Sequence, residues 1–145
     1  MSAHDIACPV FGIGIAKAGA GSGALEQMGS KAFNLQRMAV AGLPVPQACV
    51  LGTGWCRRHQ ADPVEARHAL HEALGEWTRR LEQACGLAFG GERKPLLVSV
   101  RSGAPVSMPG MMDTLLNIGL CDRTVRGLIR LTGNPRLAWD SYRRL

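Results

Sequence analysis

The sequence predicts an α+β fold, a small β-sheet packed by helices. One reason is the stretch Pro63 to Cys85, where apolar residues recur at helical spacing between a strong start signal and a glycine. Another is a set of short apolar stretches, at residues 9–16, 48–53, 95–102 and 115–120, that read as strands. The third is size: 145 residues, 46% apolar and 19% charged, suit about one domain that can bury a core.

Residues 1–27 form a Gly/Ala-rich segment in which Pro9 to Ala16 reads as a short strand. Gly19 to Gly23 has the glycine content of a nucleotide loop but not its order. A Walker A loop ends in Gly-Lys-Ser/Thr, whereas the order here is Gly29-Ser30-Lys31-Ala32, and no Rossmann GxGxxG unit is present. A helix is expected from Ser30 as N-cap to Gly42 as its stop, with Leu35, Met38 and Ala39 on one face. Pro44 and Pro46 forbid its continuation. Ala48 to Thr53 reads as a buried strand, and Thr53 as the cap of a short helix through His59. For the long helix, Asp62 is the N-cap, Pro63 sits at N1 and Glu65 at N3 completes a capping-box-like start. Leu70, Ala73, Leu74, Trp77 and Leu81 form its core stripe, and Gly86 ends it.

Pro95 to Ser102 alternates as a strand, with Leu96, Val98 and Val100 on one side and Leu97, Ser99 and Arg101 on the other. A guanidinium buried in such a place needs an anion or several carbonyls. A Gly-, Pro- and Met-rich stretch leads to a second strand, Leu115 to Leu120. Asp122 is read as the cap of a helix that turns Val125, Leu128 and Ile129 inward and stops at Gly133. Asn134 and Pro135 start a last helix that reaches Leu145 without a closing glycine or proline, as though cut through a helix.

Composition narrows the function classes. No apolar run approaches the ~20 residues of a membrane span, and MSAHDIACPV lacks the basic and apolar regions of a signal peptide. Both point to the cytoplasm. The five cysteines are odd in number and none is spaced CxxC, so reduced thiols are expected rather than a disulfide framework or a zinc site. His68 and His71 share a helix without a visible third ligand and are read as helix surface, so no metal site is expected. The net charge of +6 is uneven: residues 121–145 carry six arginines against Asp122 and Asp140. A basic end suits phosphate, nucleotide, nucleic acid or an acidic surface, and equally a solvated helix face. Nucleic acid is disfavoured by 5% aromatic residues and the lack of an RRM-like stacking motif.

Three segments carry a resemblance. The first is Met28-Gly-Ser-Lys31-Ala-Phe-Asn34-Leu35 followed by Ala41-Gly-Leu-Pro-Val-Pro46. The second is Leu96-Leu-Val-Ser-Val-Arg101-Ser-Gly-Ala104 running into Ser107-Met-Pro-Gly-Met-Met-Asp113-Thr114. The third is Gly133-Asn-Pro-Arg-Leu-Ala-Trp-Asp140-Ser-Tyr-Arg143-Arg144. Together they resemble the N-terminal part of the ATP-grasp nucleotide-binding domain of pyruvate, phosphate dikinases, over residues 28–145. The second segment is the most specific, since a phosphoenolpyruvate synthase would share Val-Arg-Ser but not SMPGMMDT.

The resemblance implies an ATP-grasp N-terminal lobe, truncated at its C-terminus. It implies a phosphotransferase that interconverts ATP, pyruvate and phosphate with AMP, phosphoenolpyruvate and pyrophosphate. Lys31 and Arg101 look like the cations that hold ATP phosphates, Gly110 like a close-approach glycine of the phosphate loop, and Arg144 like a further phosphate contact. Phosphoryl transfer depends largely on positioning and charge neutralisation, which suits a lysine point charge beside an arginine fork. Lys31 would lie in the first turn of its helix, where backbone N–H groups favour anions. The competing readings are a solvated Lys31 and an Arg101 paired with Asp113. Met108, Met111 and Met112 are read as gap-filling core.

The family usually has glycines on both sides of the lysine, where this chain has Ser30 and Ala32. The second lobe with its magnesium-binding carboxylates, the phosphohistidine domain and the pyruvate barrel have no counterpart in these residues. The expectation is therefore an ATP- or phosphate-binding lobe without catalytic residues of its own. Its partners would be a nucleotide, the remaining dikinase domains in another chain, or a second copy meeting it through Trp139, Tyr142 and Leu145. The alternative is a non-catalytic interaction or regulatory module on a remnant of that fold.

Overall fold

The computed structural model describes residues 6–15, 23–103 and 114–145. The architecture is α+β, with short two-stranded sheets and helices. Two compact units divide the chain, one built mainly from residues up to Ala84 and the other from Cys85–Ser102 and the stretch that ends at Leu145.

In the first unit, β1 (Val10–Ile13) pairs antiparallel with β2 (Ala48–Leu51), Val10 opposite Leu51 and Ile13 opposite Ala48. A short helix α1 (Leu25–Met28) leads into α2 (Ser30–Val40). Phe11, Ile13 and Met28 form a buried cluster against which Ala32, Leu35, Ala39, Val45, Ala48 and Val50 pack. Met38, expected on that face, is exposed, whereas Ala32, Leu35 and Ala39 take the places against the sheet. The expected buried strand β2 is half-buried at Ala48, Cys49 and Val50 and exposed at Leu51. The helix stop is as predicted. Gly42 adopts φ 78°, its N–H donates to the Ala39 carbonyl at 3.0 Å and the Leu43 N–H donates to the Met38 carbonyl at 3.0 Å. Its start differs: Gly29, not Ser30, is the N-cap, since the chain arrives from α1 with Gly29 at φ 78°, ψ 157°. That backbone conformation is essentially reserved for glycine.

Thr53 is the N-cap residue of α3 (Gly54–Ala61), but its hydroxyl donates to the Glu26 carbonyl at 3.0 Å instead of capping the helix. Helix α4 (Pro63–Cys85) begins as predicted, with Asp62 Oδ1 accepting from the N–H groups of Val64 and Glu65 at 3.1 and 3.0 Å. The Asp62 N–H donates to the Arg58 carbonyl at 2.9 Å, and the same arginine engages the Glu65 side chain. The Glu65 carboxylate accepts from Arg58 Nε at 2.8 Å, a stronger charged partner than a backbone amide, and Arg58 also lies over the Trp55 ring. Ala66, Trp77 and Leu81 are buried on α4, whereas Leu74 is exposed.

In the second unit the predicted single strand at 95–102 is broken. β4 (Pro95–Leu96) pairs parallel with β3 (Ala88–Phe89), and β5 (Val98–Val100) pairs antiparallel with β6 (Leu115–Ile118). The strand changes partner at Leu97, and instead of one small sheet the described residues form three two-stranded sheets. Helices α5 (Val125–Thr132) and α6 (Pro135–Arg143) pack around Leu120, Val125, Leu128 and Ala138, with Leu97, Ile129 and Tyr142 against them. Gly133 stops α5 at φ 66°, and Asn134 Oδ1 accepts from the Leu137 N–H at 3.0 Å, both as predicted. Asp122 does not cap α5. The buried Thr124 organises that turn: its hydroxyl accepts from the Cys121 N–H at 2.8 Å and contacts the Gly119 carbonyl at 2.9 Å. Asp122 instead accepts a hydrogen bond from the Tyr142 hydroxyl, which ties α6 to the entrance of α5. Among the described residues no helix is long and apolar enough to cross a membrane.

Candidate functional site

Lys31 is the second residue of α2, in its first turn, and its side chain is exposed. Gly29 sets the entry to that turn. An added Cβ there would meet nothing within 4 Å, so the glycine is required by its backbone angles and not by crowding. The turn carries helix N–H groups beside a cationic side chain, a combination that favours an anion.

Arg101 follows β5 directly. The alternation puts it on one side with Leu97 and Ser99, where burial would demand a partner, but the described Arg101, like Ser99 and Val100, is exposed. Arg101 is therefore not a buried guanidinium that must find an anion, and Ser99 and Val100, on opposite sides of β5, are exposed with it. An exposed guanidinium at a strand end can still meet a phosphate from solution with its planar fork of donors.

Arg144 lies at the end of α6, 70% exposed on its side chain, with Nη2 at 2.7 Å from Asp140 Oδ2. Arg143 shares the same carboxylate, Nη2 to Oδ1 at 3.0 Å. Two guanidinium groups on one carboxylate leave one positive charge over, and exposed pairs of this kind are weak enough to yield to a stronger anion. Lys31 thus belongs to the first unit, and Arg101 and Arg144 to the second. Gly110, Asp113 and the methionines at 108, 111 and 112 lie outside the described residues.

Two further titrating groups stand near α5. The Cys121 thiol is held below its ordinary range, first by the Thr124 hydroxyl and then by the backbone N–H groups of Thr124 and Arg123. The Tyr142 phenol is raised, chiefly by its hydrogen bond to Asp122. Away from them, burial pushes the Cys49 thiol up. Among the described residues no three His, Cys, Asp or Glu side chains gather to hold a metal ion.

Arg93, Lys94 and Arg130, which line a cleft in the second unit together with Leu131, escaped the sequence reading. The basic character of residues 121–145 was visible, but nothing local linked Arg130 to a dipeptide some 36 positions earlier.

The chain matches no family model. It is 50% identical over 117 residues to the pyruvate, phosphate dikinase of Entamoeba histolytica, covering 81% of this chain and 13% of that protein. The pyruvate, phosphate dikinase of Clostridium symbiosum is 45% identical over 117 residues, again 81% of this chain and 13% of the relative. Pyruvate, phosphate dikinase 2 of Oryza sativa subsp. japonica is 41% identical over 143 residues, 99% of this chain and 16% of the relative. The chain spans only about one seventh of the length of these relatives.

Proposed function

Because the chain is related over most of its length to a segment of pyruvate, phosphate dikinases, we propose that it is the phosphate-binding lobe of an ATP-grasp nucleotide site. In this reading residues 28–145 form the front lobe, and Lys31, Arg101, the Gly110 loop and Arg144 hold ATP by its phosphates. The observation that carries it is the pairing of 41–50% identity with a Lys31 at a helix start and an Arg101 at a strand end, both open to solvent. Lys31 supplies a point charge, and the N–H groups around it add partial positive charge. Arg101 supplies a fork that orients one phosphate, and Arg144 exchanges Asp140 for another. Magnesium carried by the nucleotide would neutralise further charge. The part proposed for this segment is to bind and orient phosphate.

The rest of the dikinase, in the same or another chain, would supply the second lobe, the phosphoacceptor and the pyruvate site. The setting read from the sequence is the cytoplasm. A second reading, an interaction module, is favoured by one observation: Leu137, Trp139 and Leu145 are exposed, Trp139 by 51% and Leu145 by 61%.

Titration calorimetry on the purified chain separates the two. Under the first reading ATP binds weakly, on the order of millimolar, pyrophosphate competes with it and adenosine does not. A coupled assay gives no phosphoenolpyruvate. Adenosine competing as well as pyrophosphate, or no ATP binding at low salt, would refute the phosphate-led reading. Clear turnover by the pure chain would refute the division of labour.

A further inference from the structure

We propose that the cleft lined by Arg93, Lys94, Arg130 and Leu131 binds a small polyanion of the inorganic polyphosphate class, using none of the residues assigned above to the nucleotide. The cleft is open to solvent and has a volume of about 510 Å³. Its described lining holds three cations and no carboxylate.

The fold assembles these cations from two separate elements. The turn from β3 to β4 is fixed by the Ala88 N–H donating to the Lys94 carbonyl at 2.9 Å and by the Gly91 N–H donating to the Ala88 carbonyl at 2.9 Å. Pro95 at its end is fully buried. Helix α5 then approaches this turn at Gly127. A Cβ added there would lie 2.4 Å from the Glu92 carbonyl oxygen and 3.0 Å from Pro95 Cδ. The missing side chain lets the helix backbone rest on the turn. Arg130 follows Gly127 by three positions and so emerges on the same face, beside Arg93 and Lys94.

Three like charges brought to one concavity repel one another, and the arrangement becomes favourable when an anion enters. Arg130 also complements the C-terminal end of α5, but that accounts for one cation and not for three. The two guanidinium forks can each take two oxygens of a phosphate, and Lys94 adds a mobile point charge. Leu131 adds an apolar part to the lining.

The probe is inorganic tripolyphosphate, titrated into the full chain at low salt by calorimetry, with amide shifts followed by NMR. Arg101→Ala provides a background in which the nucleotide site is weakened by the loss of its main fork. In that background tripolyphosphate should still bind, with shifts centred on residues 92–95 and 127–131. Adding Arg130→Gln or Lys94→Gln should weaken binding by about fivefold each, because both side chains are surface-exposed. Arg67→Gln, which removes an exposed charge from α4, should change it less than about twofold. Loss of all tripolyphosphate binding in Arg101→Ala would overturn the proposal while leaving the nucleotide reading intact. Equal losses in Arg67→Gln and Arg130→Gln would overturn it as well, by showing diffuse attraction to a basic protein.

Discussion

Two glycines in helices allow one substitution to be predicted with opposite signs. Gly75 sits in α4, and a Cβ there would meet nothing within 4 Å. Gly75→Ala removes only the excess backbone freedom of glycine and should stabilise the chain by about 0.5–1 kcal/mol. Gly127→Ala in α5 gains the same propensity, but its Cβ would lie 2.4 Å from the Glu92 oxygen and 2.9 Å from the Glu92 carbonyl carbon. Ordinary contact begins at 3.4 Å, so the turn or the helix must retreat by 1.0 Å, and the obstacle is backbone rather than a flexible side-chain tip. Overpacking of this kind costs about 1–3 kcal/mol, which outweighs the propensity gain. The two variants should therefore differ by about 1–3 kcal/mol, and at about 4 °C per kcal/mol for a chain of this size the gap is measurable. Thermal unfolding followed by circular dichroism is the assay. Gly127→Ala melting at or above Gly75→Ala would refute the close approach of α5 to the Glu92 carbonyl.

Asn134→Ala removes the acceptor of the Leu137 N–H and should cost about 1 kcal/mol in urea unfolding, whereas Asn134→Asp should cost less than half of that. Tyr142 is the sole tyrosine, so phenolate absorbance reports it alone. Its midpoint should lie above the usual ~10, and Asp122→Asn should bring it back down. Because the folded-state value is raised, the stabilisation from this bond is complete below the unfolded phenol's midpoint and is lost as pH rises through the folded one. Of the two thiols with shifted titration, Cys121 should alkylate faster than Cys49 at neutral pH, and Thr124→Val should slow Cys121. Mass mapping of labelled peptides gives both rates, and equal rates would contradict the Thr124 contact.

What the sequence made legible was set by local chemistry. Asp62 before Pro63, Asn134 before Pro135, and the glycines at 42 and 133 fix helix ends through groups a few residues apart, and the structure has all four. What stayed hidden depends on partners distant in sequence. The stretch 95–102 reads as one strand because its alternation is unbroken, yet Leu96 answers to Phe89 and Val98 to Ile118, so the ladder changes partner at Leu97. Asp122 looks like a cap until Tyr142, 20 residues on, claims its carboxylate. The candidate site divides in the same way. Lys31 at a helix start could be placed from its neighbours alone, whereas the exposure of Arg101 could not be read from the alternation of its strand, and Arg144 is engaged by Asp140 one turn before it. The cluster of Arg93, Lys94 and Arg130 needed Gly127 to be seen against Glu92.

The central claim is that this chain binds nucleotide by its phosphates through Arg101. Calorimetry with ATP on the wild type, Arg101→Ala and Arg101→Lys tests it most directly, with pyrophosphate saturating in a second series. The account predicts that Arg101→Ala loses roughly tenfold or more in ATP affinity and that Arg101→Lys recovers only part of it, since lysine keeps the charge but not the fork. It also predicts that pyrophosphate abolishes the difference by displacing ATP from all three. Equal ATP affinities for the wild type and Arg101→Ala would contradict the claim.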